Sequence, residues 1–212
     1  MSTYDVALSG NELKEYLANH FPKPSQIKIT KHSDGNKLEG FRSINTSVLK
    51  NPFCQKMIAR KKLGGEIKSI CERCYANTME KRFNGLKVNI QSNLELFSSR
   101  VLELNELPLL NDRVFRLHSL GELKNEIHFK NFLNLAIVNP YTNFTLWSKR
   151  KDIVKKVLST EKLPSNLMLI YSNPKVDSKT DIAIPVHFEK VFSTYSKKGA
   201  ENTTINCTGK CK

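Results

Sequence analysis

Apolar positions set the frame of this chain. From Val88 to Leu104, Ile90, Leu94, Phe97, Val101 and Leu104 recur at steps of three or four, which predicts an amphipathic helix that Pro108 closes off. Downstream, short apolar runs alternate with helical patterns. Arg113–His118 reads as a strand, Leu123–Val138 as a helix stopped by Asn139-Pro140, and Asn143–Trp147 as a second strand. Lys149–Ser159 follows as a basic helix, Leu167–Tyr171 as a third strand, and Ile182–Val186 and Lys190–Tyr195 as two more. Strands and helices alternating at this spacing predict an α/β fold, a mainly parallel sheet or an incomplete β/α barrel with right-handed crossovers.

The first half is patterned differently. One short helix is expected at Gly10–Ala18, capped by Asn11, and a short strand at Ile27–Thr30 before the turn Ser33-Asp34-Gly35-Asn36. The rest of residues 1–87 reads as a loop-rich segment, residues 88–200 as the β/α core and residues 201–212 as a tail, within one domain. Ordinary apolar content, 39% of residues, excludes a mainly disordered chain.

Chemistry is densest where periodicity is weakest. Cys71-Glu-Arg-Cys74 places two thiols at a spacing that lets one backbone turn aim both at one metal centre. Cys54 lies upstream, and Cys207-Thr-Gly-Lys-Cys211 offers a fourth ligand from either of its cysteines. The first residues lack a secretory pattern and no apolar run is long enough to span a bilayer, so the expectation is a cytoplasmic protein, where clustered cysteines read as metal ligands and not disulfides. Four thiolates suit a four-iron four-sulfur cluster or, alternatively, zinc.

Charge points to a partner. Lys and Arg outnumber Asp and Glu by 34 to 20, a net +14 that attracts polyanions such as nucleic acid, though solubility alone also accounts for such a balance. The cysteine segment carries Arg60, Lys61, Lys62, Arg73, Lys81 and Arg82 as candidate phosphate contacts, with Tyr75, Phe83 and Trp147 as stacking faces. Trp147, lying in an apolar strand, is otherwise expected in the core.

Parallel sheets place ligands past the carboxyl ends of their strands. There stand His118 and Glu122, a candidate acid–base pair or else a helix-capping turn, and Arg116, Ser148, Lys149 and Asn173 as candidate substrate contacts. A phosphate-binding glycine loop, a His-Glu-x-x-His motif and a nucleophile elbow are all missing from the sequence.

Several of these strings together resemble the bacteriophage "gene product 88" family. They are Ser43-Ile-Asn-Thr-Ser47, Cys71-Glu-Arg-Cys74-Tyr75-Ala76, Asn93, Arg116-Leu-His118-Ser-Leu-Gly121-Glu122, the helix up to Asn139-Pro140 and Thr145-Leu-Trp-Ser148-Lys149. The resemblance implies a small cysteine-rich α/β phage protein of largely unassigned function, acting in the host cytoplasm. Two features depart from the family pattern: Glu122 stands where Asp is usual, and the cysteine-rich end is reduced to Cys207 and Cys211. The Cys-x-x-Cys-Tyr-Ala string is also distantly similar to the incomplete barrels of radical S-adenosylmethionine enzymes, but those use three closely spaced cysteines. The expected functions are nucleic-acid binding with or without modification of it, turnover of a small nucleotide-like substrate at the strand ends, or capture of a host protein.

Overall fold

The structure is a computed structural model and describes residues 26–32, 38–60, 69–178 and 182–196. The expected helix at 10–18 and turn at 33–36 lie outside the described residues, as do Lys61, Lys62, Cys207 and Cys211.

A six-stranded sheet runs in strict sequence order: β1 (Ile29–Lys31), β2 (Arg42–Ile44), β3 (Val114–Leu117), β4 (Asn143–Ser148), β5 (Leu167–Val176) and β6 (Lys190–Thr194). β1 pairs antiparallel with β2, and every later neighbour is parallel. Five helices are described: α1 (Pro52–Ala59), α2 (Tyr75–Arg82), α3 (Asn84–Ser99), α4 (Glu126–Val138) and α5 (Lys151–Val157). None is long and apolar enough to cross a membrane.

Parallel strands that follow one another in space and in sequence send their right-handed crossovers to the same side of the sheet. Phe97 of α3, Phe129 and Phe132 of α4 and Ile153 and Val154 of α5 accordingly join Ile44, Phe115, Leu117, Phe144, Leu146 and Leu169 in one buried core. The alternate strand residues point the other way. Arg116, Trp147, Ser172 and Phe192 line a cleft on the opposite face. Trp147 therefore belongs to the cleft and not to the core: period-two alternation sends Phe144 and Leu146 inward and leaves Thr145 and Trp147 outside.

The elements differ in places from those expected, and β5 runs on to Val176. α3 stops at Ser99, because the buried Asn131 amide donates to the carbonyls of Phe97 and Arg100 and its oxygen accepts from Leu102 N, turning the chain there. Ile182–Val186 is not a strand. Pro185 has no N–H for a ladder, and Ile184 and Val186 are exposed. The expected loop-rich segment also contains β2, α1 and α2, none of which buries an apolar stripe of its own.

Gly121 has φ +112°, and a Cβ built there would lie 2.4 Å from Thr46 Oγ1 and 2.6 Å from Thr46 O. Gly121→Ala should therefore lower folding stability by about 2–5 kcal/mol, the sum of left-handed strain and a backbone clash. Urea unfolding followed by circular dichroism checks it; a midpoint unchanged from the parent would mean the two segments are not held in contact.

Candidate functional site

β2 and β3 lie side by side, with Ile44 opposite Leu117, and the segments that leave them are stitched together. His118 N donates to Ile44 O (2.9 Å) and Thr46 N to Leu120 O (3.1 Å). The Asn45 amide fills the middle of this seam. Its oxygen accepts from Ser119 Oγ (2.7 Å) and Leu120 N (2.8 Å), and its nitrogen donates to Thr30 Oγ1 and Ser43 Oγ. Asn93 from α3 donates to Asn45 O from behind. Asn45 is fully buried, so each of these bonds is made away from water, where an unmet polar group costs about 1–3 kcal/mol.

Both cysteine segments hang on this seam. Asn51 caps α1 through its oxygen, which accepts from Phe53 N, and its nitrogen donates to Glu122 O (2.9 Å), fixing the helix that carries Cys54. On the other side Tyr75 donates its hydroxyl to Ser119 O (2.6 Å), fixing the residue that follows Cys74. Cys71 sits in a 3-10 turn, Ile70–Arg73, capped reciprocally by Ser69 and Glu72. Ser69 also forms an antiparallel bridge with Lys175 near the end of β5. Glu80 of α2, fully buried, accepts from Val48 N (2.8 Å), Leu49 N (3.0 Å) and Ser47 Oγ, holding the loop that leads to Cys54.

The outcome is a cleft of about 670 Å³ at the carboxyl ends of the parallel strands. Cys54, Cys71 and Cys74 line it together with Lys149, Glu122 and Arg116. Burial raises the pKa of the Cys54 thiol far above its usual value, with the Glu122 charge and the other sulfurs adding to the effect. Cys71 is raised too, again by burial first, with Lys149 working against the shift. Lys149 itself is buried, which works against its charge, yet Glu122 and the three sulfurs outweigh burial and raise its pKa. Cation and thiols thus answer one another electrostatically within one cavity. Among the described residues no group of three or more His, Cys, Asp or Glu side chains is arranged to hold a metal ion.

The other expected site residues divide by the face they serve. The Glu122 carboxylate is occupied internally: Oε1 accepts from Ser148 Oγ (2.6 Å) and Leu123 N, and Oε2 from Lys149 N (2.8 Å), which ties the end of β3 to the end of β4. Ser148 accepts in turn from Arg150 N. Asn173 spends its amide on Ser178, Ser193 and Lys175 N. Neither Ser148 nor Asn173 lines the cleft. Arg116 does, with its guanidinium 4.5 Å from the Trp147 ring centroid. Arg60, Arg73, Lys81 and Arg82 are exposed around the cysteine segment, Arg82 lying over the Phe83 ring. Asn45, Asn51, Glu80 and the Tyr75 hydroxyl carry the geometry; Asn45 and Tyr75 stand within the strings that carry the family resemblance, whereas only a count of polar groups in a segment without apolar periodicity would have pointed to Asn51 and Glu80.

His118 takes φ +59°, which turns its ring into the seam, where Nε2 meets Thr46 Oγ1 at 3.0 Å. Its ring centroid lies 5.0 Å from those of His128 and Phe132. Burial holds the pKa of His118 well below its ordinary range, with His128 adding to the effect, and takes His128 down to about 3. Both rings are neutral at pH 7. A depressed folded pKa means the unfolded chain binds more protons below pH 6.5, so stability is present above that pH and drains away as pH falls toward 3. The expected loss is up to ~1.4 kcal/mol per pH unit for each ring. Urea midpoints between pH 7 and pH 4 for the chain and for His128→Phe check this: the variant should lose less, and equal losses would remove His128 from the account.

Comparison with known proteins adds one result. No curated protein and no solved structure matches the chain. The family described as Gene product 88 matches residues 28–207, a span that holds Cys54, Cys71, Cys74 and Cys207 as well as every described strand, and the match gives no support to a similarity with the radical S-adenosylmethionine enzymes. The chain belongs to the phage gene product 88 family.

Proposed function

We propose that this chain is an iron–sulfur protein that binds nucleic acid at its strand-end cleft. The observation that supports the reading best is that Cys54, Cys71 and Cys74, far apart in sequence, reach one cavity that also holds Lys149. A cluster would take these three sulfurs and a fourth from Cys207 or Cys211. Iron ligated wholly by protein carries an electron or braces the loops around it. The remaining work falls to the chain's own groups. The Lys149 ammonium balances the negative charge that thiolate ligands bring, and Glu122 keeps that lysine in place through its backbone amide. The cavity is wide enough for more than a single ion, which favours a cluster over zinc.

Nucleic acid is the partner favoured by the +14 balance and by the exposed Arg60, Arg73, Lys81 and Arg82 beside the cysteine segment. Phosphates held by these cations release counterions, so binding should weaken steeply as salt rises. Acid–base turnover by His118 and Glu122 is no part of the reading, because both side chains are engaged within the seam.

Chain purified without oxygen should contain about four iron and four sulfide and show visible charge-transfer absorption, and Cys54→Ala, Cys71→Ala and Cys74→Ala should each lose most of the metal. Zinc without iron would replace the cluster in this account; full iron in all three variants would refute it. Filter binding should give a log–log salt slope of about −0.7 for each phosphate contacted on a single strand. No retention of single- or double-stranded nucleic acid at about 50 mM salt would remove nucleic acid from the proposal.

A further inference from the structure

The open face of the sheet has a second chemical character beside the cysteines. Trp147 on β4 lies 4.6 Å from Phe192 on β6, the two rings tilted at 56°, and 4.5 Å from the Arg116 guanidinium on β3, a cation–π distance. All three line the cleft, with Ser172 and Thr194 supplying hydroxyls along its edge. Among the described residues α3, α4 and α5 lie on the other side of the sheet, while α1 and α2 border the cleft at the strand ends.

Outside the cleft, the helix that follows Cys74 carries a matching surface. Tyr75, Met79 and Phe83 recur at steps of four and are 62%, 37% and 46% exposed, large values for apolar side chains. Tyr75 and Met79 also line the cleft, so the stripe runs from the open surface to the cavity. Arg73, Lys81 and Arg82 flank it in the exposed layer, and the Arg82 guanidinium lies 5.4 Å from the Phe83 centroid. The one carboxylate of α2, Glu80, is buried and engaged with backbone amides, so no acidic group of that helix opposes an anion. Aromatic faces interleaved with cations are the chemistry that grips a single strand: bases stack and phosphates pair.

We propose that a single-stranded nucleic acid runs along α2 and delivers one base into the cleft, where it stacks against Trp147 and Phe192 while Arg116 meets its phosphate or base edge. The inference rests on the nucleic-acid part of the function proposed above and names the form of the partner. The cysteines and this wall share one cavity of about 670 Å³, within the ~300–1,000 Å³ range of small-ligand pockets, room for a cluster at one end and one base at the other and not for a paired duplex end. A base already out of a duplex enters without the cost of unpairing, which selects single strands.

Trp147 is the sole tryptophan, so its emission reports directly on the cleft. Full-length protein prepared without oxygen is titrated with a short oligothymidylate, reading emission from the protein and anisotropy from an end-labelled copy of the strand. Emission should fall in step with the rise in anisotropy. A strand of the same length made wholly of abasic residues should bind roughly 5- to 150-fold more weakly, the range for loss of one stacked base or more. Arg73→Ala/Lys81→Ala/Arg82→Ala should lower the salt slope by about 2. Saturating anisotropy with unchanged emission would overturn the base in the cleft and leave the nucleic-acid function standing; no anisotropy change would overturn that function itself. Thymidine monophosphate quenching Trp147 at the concentrations effective for the strand, or a salt slope unaltered in the triple variant, would overturn the path along α2.

Discussion

The contact between residues 45–47 and residues 118–122 is the constraint on which the site depends. Two parallel strands end together, and the backbone beyond each has no ladder partner left. Asn45, fully buried, satisfies both segments at once with one amide group, and Gly121 lets Thr46 approach closer than any side chain would permit. Asn51 and Tyr75 then reach back to Glu122 O and Ser119 O, so the loops that bear the sulfurs are positioned by the seam and not by packing of their own. A small apolar cluster of Val48, Ala76 and Leu120, with Cys54, Cys74 and Leu86 packed against it, adds to these bonds.

The architecture assigns the two faces of the sheet to separate tasks. Consecutive parallel pairing sends α3, α4 and α5 to one face, where Phe97, Phe129, Phe132 and the strand residues between them bury the apolar surface that stabilises the fold. The other face is left for chemistry, with sulfurs and Lys149 at the strand ends and Arg116, Trp147 and Phe192 along the wall. Glu122 joins the two tasks: its backbone anchors α1, while its carboxylate ties β3 to β4 and orders the amide of Lys149.

The β/α half of the chain was legible because α3, α4, α5 and strands β3 to β5 each bury apolar residues at regular spacing, and periodicity reports burial. Helix α2 was hidden for the opposite reason. Its buried residues are Ala76 and Glu80, so the face it turns inward has no apolar signature. Helix α1 buries only Met57 and is held by a cap, and β2 is three residues long. The strand-end group was visible as a string of polar residues, but His118 and Glu122 could be read there as catalytic because residue type does not reveal hydrogen-bond partners. Trp147 was misplaced by the overall apolarity of its strand, where its odd–even position relative to Phe144 and Leu146 held the answer. The cysteine spacing pointed to Cys54, Cys71 and Cys74 together, and they share a cavity; Cys207 and Cys211 lie outside the described residues.

The seam joins segments some seventy residues apart, and that separation imposes an order on maturation. During synthesis Cys54, Cys71 and Cys74 all leave the ribosome before Ser119 and Glu122 have been made. Until β3 pairs with β2, neither Asn51 nor Tyr75 has its carbonyl acceptor, and the thiols have no fixed separation. Whatever these sulfurs finally bind finds its site only after that pairing, on a chain that has already closed its first parallel crossover.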